Sequence, residues 1–320
     1  MYDVVALGEL LIDFASLSAD QDGYPTMAAH PGGAPCNFLA ALSKYGAKTA
    51  FLGKVGEDAF GALLRKTLEQ SGIDTQGLLT DPEVFTTLAF VTFDAQGDRS
   101  FSFARKPGAD TRLSREELNL SLLDQTRVFH FGTLSLTDEP VRTATREAVA
   151  YAKERGKWIT FDPNLRKPLW SSLDRAREEI LWGLGQADVV KISEDEVDFL
   201  WGCDFSEGAR RLLEEYGVSL AMVTLGGEGC YLANPLDRVR VRSPKVTPVD
   251  TTGAGDIFGG SAVSRLLELG KEPAQLNREE LLYIGRFASA SASLSTQKAG
   301  GIPSIPEEKL VRRTMEKLDW

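Results

Sequence analysis

Seven residues concentrate the chemistry of this chain: Asp250-Thr251-Thr252-Gly253-Ala254-Gly255-Asp256. Two carboxylates flank a run of small residues where a strand gives way to a helix. Upstream, Val239 and Val241 alternate with Arg238, Arg240 and Arg242, the period of a strand. Downstream, Ile257, Val263, Leu266, Leu267 and Leu269 recur at helical spacing and stop at Gly270. A helix opened by Gly-Ala-Gly presents backbone N–H groups with little bulk over them, and its dipole favours an anion there. Asp256 then sits in the first turn, where its charge would repel that anion. A plain helix cap is the ordinary alternative, with Asp256 satisfying orphan N–H groups. Capping needs one polar residue, however, not three small ones before it and Gly259 and Gly260 after it. Each interior glycine costs a helix about 1 kcal/mol relative to Ala. The pattern therefore predicts an anion cradle with a base beside it.

A second concentration of small residues is His30-Pro31-Gly32-Gly33-Ala34-Pro35-Cys36-Asn37. Pro35 is favoured early in a helix, and Asn37 offers a donor pair and an acceptor, which suits a polyol better than a phosphate. A Gly-rich turn feeding a helix, with Asn37 incidental, is the competing reading. Asp13 follows the first strand and would accept hydrogen bonds from sugar hydroxyls. The run Thr224 to Gly229 ends another strand and either wraps a nucleotide through its backbone or forms a tight hairpin. Ser193-Glu194-Asp195-Glu196 also follows a strand. Its carboxylates are ordinarily dipole compensation in a first helical turn. The sharper option is that one of them helps hold, through water, the Mg²⁺ that accompanies ATP. No G-x-x-x-x-G-K-[ST] loop occurs, no strict G-x-G-x-x-G follows a strand, and the protein-kinase motifs are absent.

These residues need elements to position them. Short apolar runs at 4–7, 49–55, 128–131, 158–161, 189–192 and 220–224 read as strands. Amphipathic segments at 36–45, 59–70, 141–154, 174–184, 206–216, 257–269, 279–294 and 307–318 read as helices. The alternation predicts an α/β fold: three layers, a doubly wound and mostly parallel sheet with helices on both faces. Residues 10–15, 86–93 and 100–104 are strand-like with no intervening helix, the last two joined by a Gly-containing connection at 94–98. They are expected to form a small β-sheet lid, an excursion of roughly 10–33 and 85–107 from a single domain spanning 1–320.

Composition bounds the partners. The 320 residues are 42% hydrophobic, enough to bury a large core, and the net charge of −10 gives no global field for nucleic acid or anionic lipid. No apolar run approaches the ~18 residues that would suggest a membrane span. The start, Met1-Tyr2-Asp3-Val4-Val5, does not have the form of a signal peptide, and three cysteines are too few for a disulfide framework. Cytoplasmic residence is the expectation. Two histidines, His30 and His130, exclude a multi-histidine metal site and make a Ser-His-Asp triad a poor fit.

The two Gly motifs, in order and far apart, resemble the paired signatures of the ribokinase-like (PfkB) carbohydrate kinases. The first runs from Gly32 to Asn37 and on to Gly46 and Gly56; the second is Asp250 to Asp256, with Ser261 where Ala or Gly is usual. The resemblance extends from Gly8-Glu9 to Gly300-Gly301-Ile302-Pro303-Ser304. The segments 103–110 and 162–170 look most like those of fructokinases. The resemblance implies transfer of the γ-phosphoryl of ATP to a hydroxyl of a sugar, D-fructose. Asp256 would be the base, and Gly253, Ala254 and Gly255 the anion hole for the transferring phosphoryl. Asp13, Gly32, Gly33, Asn37 and Phe103 would hold the sugar, with Arg105 reaching in from the lid. Asn164 and Arg166 would lie near the phosphates. Ser193, Thr224, Gly226, Gly227, Gly229 and Ser289 would contact the nucleotide, with Ser193 standing where the family has Asn in Asn-x-x-Glu. Glu196 would bind Mg²⁺ through water. K⁺ would sit among Asp250, Thr252, Ser295, Lys298, Gly300 and Ser304. Arg105 and Arg166 suit a carboxylate as well as a phosphate, so a 2-keto-3-deoxygluconate kinase is the alternative. A non-catalytic sugar-binding relative would have lost Asp256 or its glycines. The apolar lid residues Phe90, Phe101 and Phe103 would cover the sugar or meet a second subunit's lid in a homodimer.

Overall fold

Strands and helices alternate along most of the chain in the computed structural model, which describes residues 1–93 and 99–316. In order they are β1 (Tyr2–Leu7), β2 (Leu11–Ala19), β3 (Pro25–Gly32), α1 (Ala34–Lys44), β4 (Thr49–Gly56), α2 (Ala59–Gln70), β5 (Ile73–Asp81), β6 (Leu88–Phe93) and β7 (Arg99–Ala104). A single turn, α3 (Ser121–Asp124), precedes β8 (Thr126–Gly132), α4 (Val141–Glu154), β9 (Trp158–Asp162), α5 (Leu173–Leu184), β10 (Val189–Ser193), α6 (Glu194–Trp201) and α7 (Phe205–Tyr216). The chain then forms β11 (Leu220–Thr224), β12 (Cys230–Ala233), β13 (Arg238–Val241), α8 (Ala254–Leu269), α9 (Arg278–Ser295) and α10 (Glu308–Glu316).

Nine strands make one sheet in the order β13-β12-β11-β10-β9-β8-β1-β4-β5. Every pairing from β11 through β5 is parallel, and β12 and β13 add antiparallel strands at one edge. Alternate residues of β1 serve opposite faces, as the period of two requires. Val5 and Leu7 join a core with Ala148 of α4, Ile180 of α5 and Leu212 of α7. Val4 and Ala6 join another with Leu39 of α1, Ile257 of α8 and Phe287 of α9. The expected three-layer α/β architecture is therefore present. A separate four-stranded sheet, β3-β2-β6-β7, stands apart from the large one, with the expected strands 10–15, 86–93 and 100–104 in it.

Three expectations are adjusted. The strand at 238–241 does not run directly into the helix; residues 242–253 intervene without regular structure. Pro244 and Pro248 lie there, and neither offers an N–H to a ladder. β3, β5, α3, α6 and β12 are additional to the elements anticipated. The 94–98 connection, the Phe101 side chain and the end of the last helix at 317–318 lie outside the described residues.

Candidate active site

The functional residues gather at the C-terminal ends of the parallel strands, where loops can converge without interrupting the ladder. Glu9 follows β1, Asn164 and Arg166 follow β9, Lys191 lies in the middle of β10, and Thr224 ends β11. Two helices point into the same region, and both start without a side-chain cap of their own. By contrast, Asp58 caps α2 and Asn277 forms a capping box with Glu280 on α9. Gly253 precedes α8 with φ +75°, and an added Cβ would lie 3.0 Å from Asn37 Nδ2 and from Gly301 Cα. Gly33 precedes α1 with φ +115°, and a Cβ there would lie 2.4 Å from the Glu9 carbonyl oxygen. Both positions need left-handed backbone and close approach, which only glycine supplies cheaply. The cap reading of Asp256 is excluded: its Oδ2 instead accepts from Asn37 Nδ2 at 2.9 Å, joining the two motifs across 219 residues.

A cavity of about 190 Å³ opens above this pair. Asp13, Gly33, Asn37, Phe103, Asn164, Arg166, Thr252, Gly253, Gly255 and Asp256 are among the residues that line it. The small sheet contributes Leu11, Asp13 and Phe103, so the excursion does reach the site. A larger cavity of about 720 Å³ adjoins it, sharing Thr251 and Gly255. Its wall includes Thr224, Gly226, Gly227, Gly229, Ala254 and Ser289, with the irregular segment from Ser243 to Pro248 opposite. The Thr224–Gly229 run joins β11 to β12 as a hairpin, its first reading, and Thr224, Gly226, Gly227 and Gly229 also line this cavity.

Burial shapes the charges. Asp256 is 8% exposed, and desolvation raises its pKa, opposed by Lys191, by the Asn37 hydrogen bond and by Arg166. Asp13 is pushed up to about 7 by burial, with Arg166 acting the other way. Asn164 has φ +44°, and its N–H is held by Asp162 Oδ1 at 3.1 Å. Asn37 Oδ1 is buried without a hydrogen-bond partner and lies against Gly301, while its Nδ2 faces Asp256.

Several expected residues lie elsewhere. Arg105 does not line the cavity: its guanidinium pairs with Asp110 at 2.7 Å and donates to Thr137 Oγ1 and the Leu134 carbonyl, each at 2.8 Å. Gly32 pairs with Leu11 in the β2–β3 ladder, beside the cavity rather than on its wall. Ser193 and Glu196 form the capping box of α6, as the dipole reading anticipates. Glu196 Oε2 accepts from Ser193 and Oε1 from the Leu165 N–H, so both oxygens are engaged by protein donors. No cluster of three or more His, Cys, Asp or Glu suited to a metal occurs among the described residues.

Asp250 clamps two loops together. Its Oδ1 accepts from Thr252 N–H and Oγ1, and its Oδ2 accepts from the Gly300 N–H at 2.9 Å. Thr296 accepts from the backbone N–H groups of Val249 and Asp250. Lys298 N–H reaches the Ser295 carbonyl and Ser304 the Gly301 carbonyl, so Ser295, Lys298, Gly300 and Ser304 lie in one turn, which Asp250 ties to the 250–252 segment.

Two residues of the site carried no assigned role in the sequence: Glu9 and Lys191. Glu9 Oε1 accepts from the Ala34 N–H at 2.8 Å, satisfying the start of α1, and burial pushes its pKa to about 7. Lys191 lines the cavity and holds Asp162 Oδ2 at 3.0 Å. A lysine inside the apolar strand Val189-Val190-Lys191-Ile192 was the available signal.

The pfkB family carbohydrate kinase model matches residues 1–308. The chain belongs to the pfkB family of carbohydrate kinases. Within it, the chain is 43% identical to Fructokinase-1 of Zea mays over 98% of both chains. Fructokinase of Xylella fastidiosa, solved with bound ATP, superposes with a TM-score of 0.88 at 27% identity over 99% of both chains. A double mutant of Vibrio cholerae O395 fructokinase, in a fructose, ADP and potassium ion bound form, gives 0.86 at 31% over 98% of both. No helix among the described residues is long and apolar enough to cross a membrane.

Proposed function

We propose that this pfkB-family chain is an ATP-dependent fructokinase. The observation that carries it is the pair of adjoining cavities meeting at Gly255, the smaller polar and the larger suited to a nucleotide. Asp13, Asn37 and Asp256 present carboxylate and amide groups to the hydroxyls of a sugar. Asp256 takes the proton from the attacking hydroxyl as it meets the γ-phosphoryl. The start of α8, from Gly253 to Gly255, stabilises charge on the transferring group, and Arg166, which lines the same cavity, adds a positive charge. Thr224, the glycines at 226, 227 and 229, and Ser289 hold the nucleotide.

Mg²⁺, when bound with ATP, would supply neutralisation of the phosphate charge. The Ser193–Glu196 capping box supports no direct ligation of it. A monovalent cation, K⁺, fits the clamp of Asp250, Thr252 and the 295–304 turn, whose oxygen donors suit a hard cation. The small sheet acts as a lid over the sugar. Exposed Leu17 (67%), Tyr24 (68%) and Phe85 (68%) give its excursion an outer apolar surface for a second copy. A cytoplasmic location accords with three free cysteines.

An ATP-coupled assay over fructose, ribose, 2-keto-3-deoxygluconate, adenosine and fructose phosphates tests this reading. Fructose is expected to have the highest kcat/KM; preference for any other substrate overturns it. The engagement of Arg105 by Asp110 weighs against the ketodeoxygluconate alternative, because it leaves Arg166 as the arginine on the cavity wall.

A further inference from the structure

Lys191 is a cation in the floor of the site, on β10 and only 9% exposed. Its Nζ lies 3.0 Å from Asp162 Oδ2, and a Cβ added to Gly255 would meet that Nζ at 3.0 Å. The ammonium is thus wedged between the end of β9 and the first turn of α8, the turn that carries Asp256. Other charged and titratable groups reach the Asp256 carboxylate from each neighbouring element. Arg166 comes from the segment after β9, Glu196 from α6, Cys36 from α1 and Asp13 from β2, while Asn37 donates its hydrogen bond. Asp162, Glu196 and Asp13 add negative charge, and Cys36 is held as a neutral thiol by burial. Lys191 and Arg166 are the cations of this set.

We infer that Lys191 is a positioning residue for phosphoryl transfer, keeping Asp256 ionised, with Asp162 fixing where the ammonium sits. A buried carboxylate among other carboxylates would otherwise take up a proton and cease to be a base. Lys191 is the largest influence opposing the desolvation of Asp256. Its own ammonium is kept charged by Asp162 and then Glu196, so the arrangement persists at neutral pH. The inference rests on the assignment of Asp256 as base.

The test is the acid limb of kcat/KM for fructose against pH, which reports the base in the free enzyme. Lys191→Met is expected to move that limb to higher pH by about one unit or more, the usual effect of an opposite charge at close range. Asp162→Asn removes a negative charge and is expected to move it to lower pH. Lys191→Arg keeps the charge and should leave the limb near its wild-type position. Opposite shifts distinguish an electrostatic role from a purely structural one, which would lower activity without moving the limb in two directions. Should Lys191→Met fail to fold, Asp162→Asn and Lys191→Arg still give the sign. A limb unmoved in Asp162→Asn, or in a folded Lys191→Met, overturns the inference. If Asp256→Asn retained wild-type turnover, the assignment of the base would be what failed.

Discussion

At the scale of single residues, the site stands on a carboxylate placed where burial opposes its charge. Asp256 has its pKa raised above the ordinary carboxylate value chiefly by desolvation. A group of this kind binds its proton more tightly folded than unfolded. Its contribution to stability is therefore full below the unfolded pKa and is lost as pH rises through the folded one. The ionised form that catalysis needs is the form that costs stability. Asp256→Asn is expected to lower kcat by about 10²–10⁴, the usual worth of a general base. The same variant should be no less stable than wild type at pH 8, with its relative advantage shrinking toward pH 4. Steady-state kinetics beside denaturation at the two pH values checks both halves, and near wild-type kcat would remove Asp256 from the role. Asp256 and Asn37 were legible in the sequence because each sits in a conspicuous run of small residues. Lys191 and Glu9 were not assigned roles, because their importance comes from burial against Asp162 and the Ala34 N–H, which only the folded chain brings about.

At the scale of elements, what could be read followed apolar periodicity. The central strands β1, β8, β9, β10 and β11 are buried on both faces and appear as plain apolar runs. β3 and β5 were missed for a physical reason: each is an edge strand, where one side of the ladder is unpaired. Edges tolerate Pro25 and Pro31 in β3, and Gln76 and Gly77 in β5, so the strand pattern is blurred. α6 was hidden behind Glu194-Asp195-Glu196, which reads as a charged turn until its capping box is seen. The entry to α8 is the element on which the site depends most. Gly253→Ala would place a side chain in left-handed backbone and against Asn37, at a cost of about 1–2 kcal/mol from the backbone alone. Urea denaturation should register that loss, while kcat falls by at least about tenfold because Asn37 and the cradle shift together. An unchanged kcat would show that the close approach of α8 to Asn37 is not needed for transfer.

At the scale of the whole molecule, residues remote in sequence are tied at one corner. The 249–252 segment and the 295–304 turn meet through Asp250 and the Gly300 N–H across 50 residues. A Cβ on Gly301 would fall 2.3 Å from Asn37 Oδ1, so the same turn also buttresses helix α1. A cation held at this clamp would stiffen the turn, the start of α8 and Asn37 together, and so would act on transfer without touching the sugar. The sequence alone offered no spacing rule for such a site; the family resemblance implied it, and in the folded chain Asp250 is hydrogen-bonded to the Gly300 N–H of the 295–304 turn. Coupling between two ligand sites of 1–3 kcal/mol corresponds to about 5–150-fold. Activity measured with K⁺ as the monovalent cation should therefore exceed that with tetramethylammonium by about fivefold or more at equal ionic strength. The difference should shrink in Asp250→Asn, whose amide cannot accept from Thr252 and Gly300 in the same way. Equal rates in the two salts for the unaltered chain would mean that the clamp is a structural tie between loops and not a cation site.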